Sequence, residues 1–219
     1  MAIIKGFLFD LDGVIVDTAQ YHFKAWQRLG RELDIDFDEK ANEELKGVSR
    51  KDSLEKILQW GDKQLPQEDK ERLMDRKNQW YLEYVEEMKP EDALPGALDF
   101  LDKSIALNLR IGLGSASKNA RKILDLLEIT DRFEVIIDGK AVTKSKPDPE
   151  VFLKGAEGLE LAPEEVVVYE DSVAGIKAAG NGGFRRVGIG NAKVLKSAEI
   201  VLAGLHESNP AEVINKLNF

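Results

Sequence analysis

The stretch FLFDLDGVIVDT, residues 7–18, decides the fold of this chain. It is an apolar run that ends in two acids, Asp10 and Asp12, followed by Gly13. A continuous apolar run of this kind is typical of a buried parallel strand. Ligands of open α/β sheets bind at the carboxyl ends of such strands. Because two close carboxylates are unfavourable in a buried place unless a cation offsets their charge, the pair predicts a divalent metal site.

Composition excludes several classes of function. The chain has 219 residues, is 43% hydrophobic and carries a net charge of -9, which suits one α/β domain with an inserted module. Its Lys and Arg residues are scattered among acids, so no nucleic-acid partner is predicted. The chain has no cysteine and 2 histidines, which argues against thiolate chemistry and a histidine-rich metal centre. With no long apolar run or leader segment, we expect a cytoplasmic monomer with no membrane partner.

Short apolar runs recur along the chain with helical stretches between them. The runs are residues 3–9, 109–114, 134–137, 166–169, 185–190 and 199–202. This pattern predicts the α/β class, with a doubly wound parallel-sheet (Rossmann-like) core. Residues 18–90 show charged helical periodicity and no convincing strand, so they predict an inserted helical domain. Residues 1–17 and 91–219 then form the core.

Acids close two of the predicted strands. Asp10 has the position of a carboxylate nucleophile, and Asp12 that of a general acid/base. Glu170 and Asp171 end another apolar run, and Mg2+ takes its oxygen ligands from such carboxylates. For the first pair the alternative is a turn with a helix cap. For the second pair it is a helix N-terminus whose acids suit the helix dipole.

Two other segments offer groups for an anion. Residues 114–119 (GSASKN) follow a predicted strand and open a helix, where hydroxyls and free N–H groups bind phosphate. Ser117 is predicted to cap that helix and Ser115 to contact the anion. Lys146 precedes a proline, so its backbone is held extended and its ammonium group can be presented to a site. The alternative for Lys146 is a solvated loop lysine.

In this order the four segments resemble the haloacid dehalogenase superfamily of phosphoryl-transfer enzymes, and the resemblance covers the chain end to end. Residues 17–26, 42–50 with Ser53, 76–78 and 115–119 also closely resemble the β-phosphoglucomutase family. That resemblance implies an α-helical cap domain over residues 18–90. It also implies Mg2+-dependent interconversion of β-D-glucose 1-phosphate and D-glucose 6-phosphate. The route would pass through an aspartyl-phosphate and glucose 1,6-bisphosphate, with small-molecule sugar phosphates as partners.

The resemblance further implies a role for each matching residue. The implied metal ligands are Asp10, the backbone carbonyl of Asp12, Glu170 and Asp171. The implied catalytic residues are Asp10, Asp12, Thr18, His22 and Lys146. The implied substrate-binding residues are Trp26, Lys46, Gly47, Val48, Ser49, Arg50, Ser53, Lys77, Ser115, Ala116, Ser117, Lys118 and Asn119.

Some alternatives stay open at this point. On its apolar stripe with Trp26, His22 fits a buried structural histidine, whereas the resemblance implies contact with the sugar or with Asp12. Thr18 is a candidate hinge, and His206 receives no role. A sugar-phosphate or phosphoglycolate phosphatase would use the same nucleophile with water as acceptor. A non-catalytic phosphate-sensing protein would have little need for both Asp10 and Asp12.

Overall fold

A computed structural model describes residues 3–45 and 47–217 of the chain. Its centre is a 6-stranded parallel sheet with the order β3-β2-β1-β4-β5-β6. The strands are β1 Gly6–Phe9, β2 Arg110–Gly114, β3 Val135–Ile137, β4 Val166–Glu170, β5 Arg185–Ile189 and β6 Ile200–Leu202. Every strand lies within or next to a predicted apolar run, so the predicted parallel α/β sheet is confirmed.

Helices cover both faces of this sheet. Those that follow the first strand in the chain are α1 Ala19–Glu32, α2 Glu39–Glu43, α3 Arg50–Trp60 and α4 Gln67–Val85. The later ones are α5 Ala97–Ala106, α6 Ala120–Leu126, α7 Glu150–Gly158, α8 Val173–Asn181 and α9 Pro210–Leu217. The side chains of β1 alternate between the two faces: Phe7 and Phe9 pack against Phe100, while Leu8 joins a separate core with Phe152. Burial on both faces explains why the strand is apolar throughout.

The segment α1–α4, here called the helical insertion, leaves and re-enters the sheet core at one place. Val16 forms an antiparallel bridge with Ala93, and the Leu94 N–H donates to the Ile15 carbonyl at 2.8 Å. Within the insertion, α1 packs along α4, and Ser49 caps α3 by accepting the Asp52 N–H. No helix in the described ranges is both long enough and apolar enough to span a bilayer.

Candidate active site

The strand order brings three acids together. Asp10 follows β1, Glu170 ends the neighbouring β4, and Asp171 comes next in the chain. One carboxylate oxygen from each of the three lies within 4.8 Å of the others. Burial, together with the charge of Glu170, raises the pKa of Asp10 to about 6 even though a lysine opposes the rise. A cluster of three carboxylates at this spacing matches the hard oxygen donors that a divalent cation prefers.

Lys146 is the cation inside this cluster. Its Nζ donates to Asp10 Oδ1 at 2.8 Å and to Glu170 Oε1 at 2.5 Å, and all three side chains are buried. Burial works against the charge of the ammonium, yet Asp10 and Glu170 raise the pKa of Lys146 above its usual value. The alternative of a solvated loop lysine is therefore wrong. Lys146 pairs with two of these carboxylates, and the oxygen donors of the cluster also fit a divalent cation.

The second oxygen of Glu170 is held by the start of α8. Ser172 donates to Glu170 Oε2 from its backbone N–H and its hydroxyl, both at 2.8 Å, and the same hydroxyl accepts the Gly175 N–H at 3.0 Å. Gly175 lets the helix approach this closely, because a Cβ there would lie 1.9 Å from the carboxylate carbon of Glu170.

We therefore expect Gly175→Ala to push Glu170 away from Lys146. Overpacking of this kind should lower the free energy of unfolding by about 1–3 kcal/mol and weaken divalent-metal binding. Thermal unfolding and a metal titration measure the two effects. Gly180→Ala on the same helix is the control, since its new Cβ would meet only the flexible end of Arg186. Equal metal affinity in both variants would contradict the predicted role of Gly175.

Asp12 lies in a more exposed position than Asp10. The Thr18 hydroxyl donates to Asp12 Oδ1, so the residue predicted as a hinge is also a direct partner of the second acid. Burial, followed by the charge of Asp10, raises the pKa of Asp12 to about 8. Asp12 is therefore the carboxyl group that holds a proton near neutral pH, which suits a general acid/base.

A buried lysine and a histidine lie side by side in the helical insertion, and the charge of the lysine, Lys77, acts on Asp12. Lys77 Nζ lies 2.7 Å from His22 Nδ1 and 4.7 Å from the centre of the Trp26 ring. The His22 ring in turn stacks on Tyr81 with 4.2 Å between centroids. Burial, followed by the charge of Lys77, lowers the pKa of His22 well below its usual value, so the imidazole stays neutral. His22 is packed in the insertion and also lines the cavity, and its contact with a sugar or with Asp12 stays a prediction.

Among the described residues, several contacts join the insertion to the sheet core. Ser145, which precedes Lys146, donates its hydroxyl to Asp52, while Gly47 lies directly against Ser172. Asn78 on α4 accepts from Arg50 at 2.6 Å and from Asn119 of the core at 2.8 Å. The sequence did not assign a role to Asn78, because only the fold brings it beside a residue 41 positions away.

In the segment after β2, the predicted role of Ser117 as a helix cap is wrong. Ser117 does not cap α6: the helix begins at Ala120 after Asn119, and the Ser117 hydroxyl instead accepts the Asn119 N–H in a turn before the helix. Such side-chain turns compete with capping because a serine hydroxyl can reach the N–H two residues on. Ser115 is buried and accepts the Ser117 N–H at 3.1 Å.

A cavity of about 440 Å³ connects these groups. Acids lie at one end, and Arg50 and Lys118 supply positive charge elsewhere in the wall, to which Lys77 adds a buried amine whose pKa is lowered by burial. The predicted residues that line the cavity are Asp10, Asp12, His22, Trp26, Gly47, Val48, Arg50, Ser53, Lys77, Ser115, Ala116, Ser117, Lys118 and Asp171. The remaining predicted residues do not line the cavity. Thr18 binds Asp12, and Lys146 binds both Asp10 and Glu170. Ser49 caps α3, and Asn119 binds Asn78. Lys46 lies outside the described residues.

The cavity also extends where no site was predicted. Its far wall comes from the loops after β5 and β6 and includes Asn191, Val194 and His206, with Leu94 and Pro95 at the edge of the insertion. These residues carry no motif, so only their place at the carboxyl ends of the last two strands could have indicated them.

Comparison with known proteins agrees with this geometry. The family model for haloacid dehalogenase-like hydrolases matches residues 4–183. The chain is 43% identical to the β-phosphoglucomutase of Bacillus subtilis over 91% of its own length and 89% of the relative's. The crystal structure of a β-phosphoglucomutase from Clostridium difficile has a TM-score of 0.96 at 41% identity, covering 99% of this chain and 98% of that one. A phosphorylated carbohydrates phosphatase of Thermotoga maritima is 28% identical over 98% of each chain. The chain therefore belongs to the haloacid dehalogenase-like hydrolase family.

Proposed function

We propose that this protein is a β-phosphoglucomutase that interconverts β-D-glucose 1-phosphate and D-glucose 6-phosphate. The proposal is carried by one cavity that offers two places for an anion. One place is the Asp10–Lys146 cluster, and the other is Arg50 on the insertion opposite Lys118 of the core. A mutase must hold both phosphates of a sugar bisphosphate at once, whereas a phosphatase needs one anion site. The β-phosphoglucomutase of B. subtilis, at 43% identity, supports the same activity.

In the proposed mechanism Asp10 attacks a phosphoryl group and forms an aspartyl-phosphate. Lys146 and Ser115 stabilise the charge that develops on the transferring oxygens. Asp10, Glu170, Asp171 and the backbone carbonyl of Asp12 would hold Mg2+, which supplies electrostatic neutralisation of the phosphoryl group when bound. The 6-hydroxyl of β-glucose 1-phosphate then attacks the aspartyl-phosphate, which breaks the bond between phosphorus and Asp10 and forms glucose 1,6-bisphosphate. The bisphosphate turns round in the cavity, Asp10 attacks the phosphoryl group at C1, and glucose 6-phosphate leaves.

Asp12 would move the proton in each transfer. Thr18 occupies one oxygen of Asp12, so the other can give a proton to the leaving sugar oxygen or accept one from the attacking hydroxyl. Lys77, His22 and Trp26 would contact the sugar between the two anion places, and Gly47, Val48 and Ser53 line the cavity from the insertion. Substrate binding by Lys46 and Ser49 stays a prediction.

We also propose that residues 18–90 act as a cap domain that closes over the core, residues 1–17 and 91–219. The adjacent crossing segments near Val16 and Ala93 suit a hinge, with Thr18 at its start. Closure would exclude water and so favour transfer to a sugar hydroxyl. The monomeric state and the cytoplasmic localisation of the enzyme stay predictions.

The alternative is a sugar-phosphate phosphatase, a class favoured by the 28% identical relative from T. maritima. Incubation with β-glucose 1-phosphate, Mg2+ and a trace of glucose 1,6-bisphosphate separates the two, with phosphorus NMR as the readout. Glucose 6-phosphate is the expected product. Stoichiometric inorganic phosphate would instead establish the phosphatase.

Arg50→Ala should raise the KM for β-glucose 1-phosphate by about 100-fold, since a charge-assisted contact to the non-transferring phosphate is lost. Hydrolysis of a small aryl phosphate, which carries only the reacting phosphate, should change little. Lys51→Ala is the control, because Lys51 is the exposed neighbour on the same helix. An equal loss with both substrates would make the assignment of Arg50 wrong.

Treatment with EDTA should abolish turnover, and added Mg2+ should restore it, because Asp10, Glu170 and Asp171 place carboxylate oxygens close enough together to hold a divalent cation. Steady-state assays at stepwise Mg2+ concentrations measure this effect. Full activity in the presence of the chelator would contradict the metal proposal.

A further inference from the structure

Asn78 joins two groups that the proposed function assigns to the same phosphate. Its Oδ1 accepts from an Arg50 guanidinium nitrogen at 2.6 Å and from Asn119 Nδ2 at 2.8 Å. Arg50 begins α3 and Asn78 lies on α4, both in the insertion, whereas Asn119 precedes α6 in the core. The Asn78 oxygen therefore links Arg50 of the insertion to Asn119 of the core segment after β2.

The orientation of the Asn78 amide follows from its partners. A guanidinium has only donors, so the atom facing Arg50 must be the carbonyl oxygen. Asn119 then has to present its own NH2 group to the same oxygen. Arg50 keeps further N–H donors and Asn119 a second amide hydrogen, so both can bind an anion while Asn78 holds them.

The chemical type of residue 78 also matters. Arg50 forms no ion pair within the described part of the chain: its hydrogen-bond partner is a neutral amide, and the charge of Asp75 acts on it without a direct contact. A carboxylate at position 78 would accept the same hydrogen bonds but would neutralise the guanidinium and repel a phosphate. A neutral acceptor orients Arg50 and leaves its charge for the ligand.

We propose that Asn78 is a positioning residue that assembles the site for the non-transferring phosphate when the helical insertion closes on the core. The proposal rests on the proposed function for the identity of the substrate. Opening of the insertion must break the bond between Asn78 and Asn119, so closure and assembly of the anion site occur together. The residue acts through Arg50 and Asn119, and its effect should be on binding of the sugar phosphate.

The test compares Asn78→Ala with Asn78→Asp in steady-state assays on β-glucose 1-phosphate. We expect the KM to rise about tenfold in Asn78→Ala and about 100-fold in Asn78→Asp, with kcat changed far less. Hydrolysis of a small aryl phosphate should stay at the wild-type level in both variants. Gln79→Ala, at the exposed neighbouring position, is the control. In an Arg50→Ala background, Asn78→Asp should raise the KM by a smaller factor than in the wild-type background, because no guanidinium is left to neutralise.

A purely structural hydrogen bond would give the opposite order, because the isosteric aspartate keeps both acceptor contacts. A wild-type KM in Asn78→Asp would therefore overturn the proposal, as would an unchanged KM in both variants. Should Asn78→Ala fail to fold, Asn78→Asp alone decides. If the wild-type protein releases phosphate and forms no glucose 6-phosphate, the mutase proposal fails. The order of the KM values is then judged on the phosphatase reaction.

Discussion

Asp10→Asn should eliminate the phosphoenzyme and lower turnover on the order of 10⁴-fold or more. The amide has nearly the shape of the carboxylate but lacks its negative charge, so it is a poor nucleophile. Its NH2 group also cannot accept a hydrogen bond from the Lys146 ammonium. Rapid quench followed by mass spectrometry of the peptide containing residue 10 measures the covalent phosphate directly.

The control for Asp10→Asn is binding of glucose 6-phosphate, which should persist because Arg50 and the segment after β2 are unaltered. Intact mass must first exclude deamidation of Asn back to Asp. Robust turnover by a variant of verified mass would contradict the role of Asp10 as nucleophile.

Asp12→Asn should slow phosphoryl transfer from glucose 1,6-bisphosphate to Asp10 by about 10²–10⁴-fold. The asparagine can still accept from Thr18, but it cannot give a proton to the departing sugar oxygen. An aryl phosphate, whose leaving group is stable as an anion, should phosphorylate the variant at close to the wild-type rate. Single-turnover quench with both donors measures this dependence on the leaving group.

The pH profile provides a second check on Asp12. Because its pKa is raised to about 8, the protonated form that donates to the leaving group dominates below that pH and is lost above it. Transfer from the bisphosphate should therefore fall as the pH rises through this range, and bound Mg2+ should move the fall to lower pH. If the transfer rate of Asp12→Asn still falls in the same way as the pH rises, deprotonation of Asp12 does not cause the fall.

The sheet could be predicted from the sequence because strands that are buried on both faces consist of continuous runs of apolar residues. Phe7, Leu8 and Phe9 are all buried, although they point to opposite layers. The acids at the ends of β1 and β4 could be predicted as well, because each follows directly on an apolar run in the sequence. The sequence predicted a helical insertion over the residues of α2 but did not distinguish α2 as a separate helix, because its five residues have no buried side chain.

The rest of the site depends on contacts between distant segments. Ser117 was predicted as a cap from local composition, but the turn around Asn119 uses its hydroxyl first. Asn78 lies in a stretch noted only for its resemblance, and nothing local shows that Arg50 and Asn119 meet at its oxygen. His206 could not be placed in the cavity without the order of β5 and β6.

The central claim is that the phosphoryl group on Asp10 passes to a sugar hydroxyl in preference to water. The direct measurement starts from enzyme carrying a radiolabelled phosphoryl group and follows its fate in a single turnover with β-glucose 1-phosphate and Mg2+. The account predicts that most of the label appears in glucose 1,6-bisphosphate and then in glucose 6-phosphate. Label recovered chiefly as inorganic phosphate at saturating sugar phosphate would contradict it.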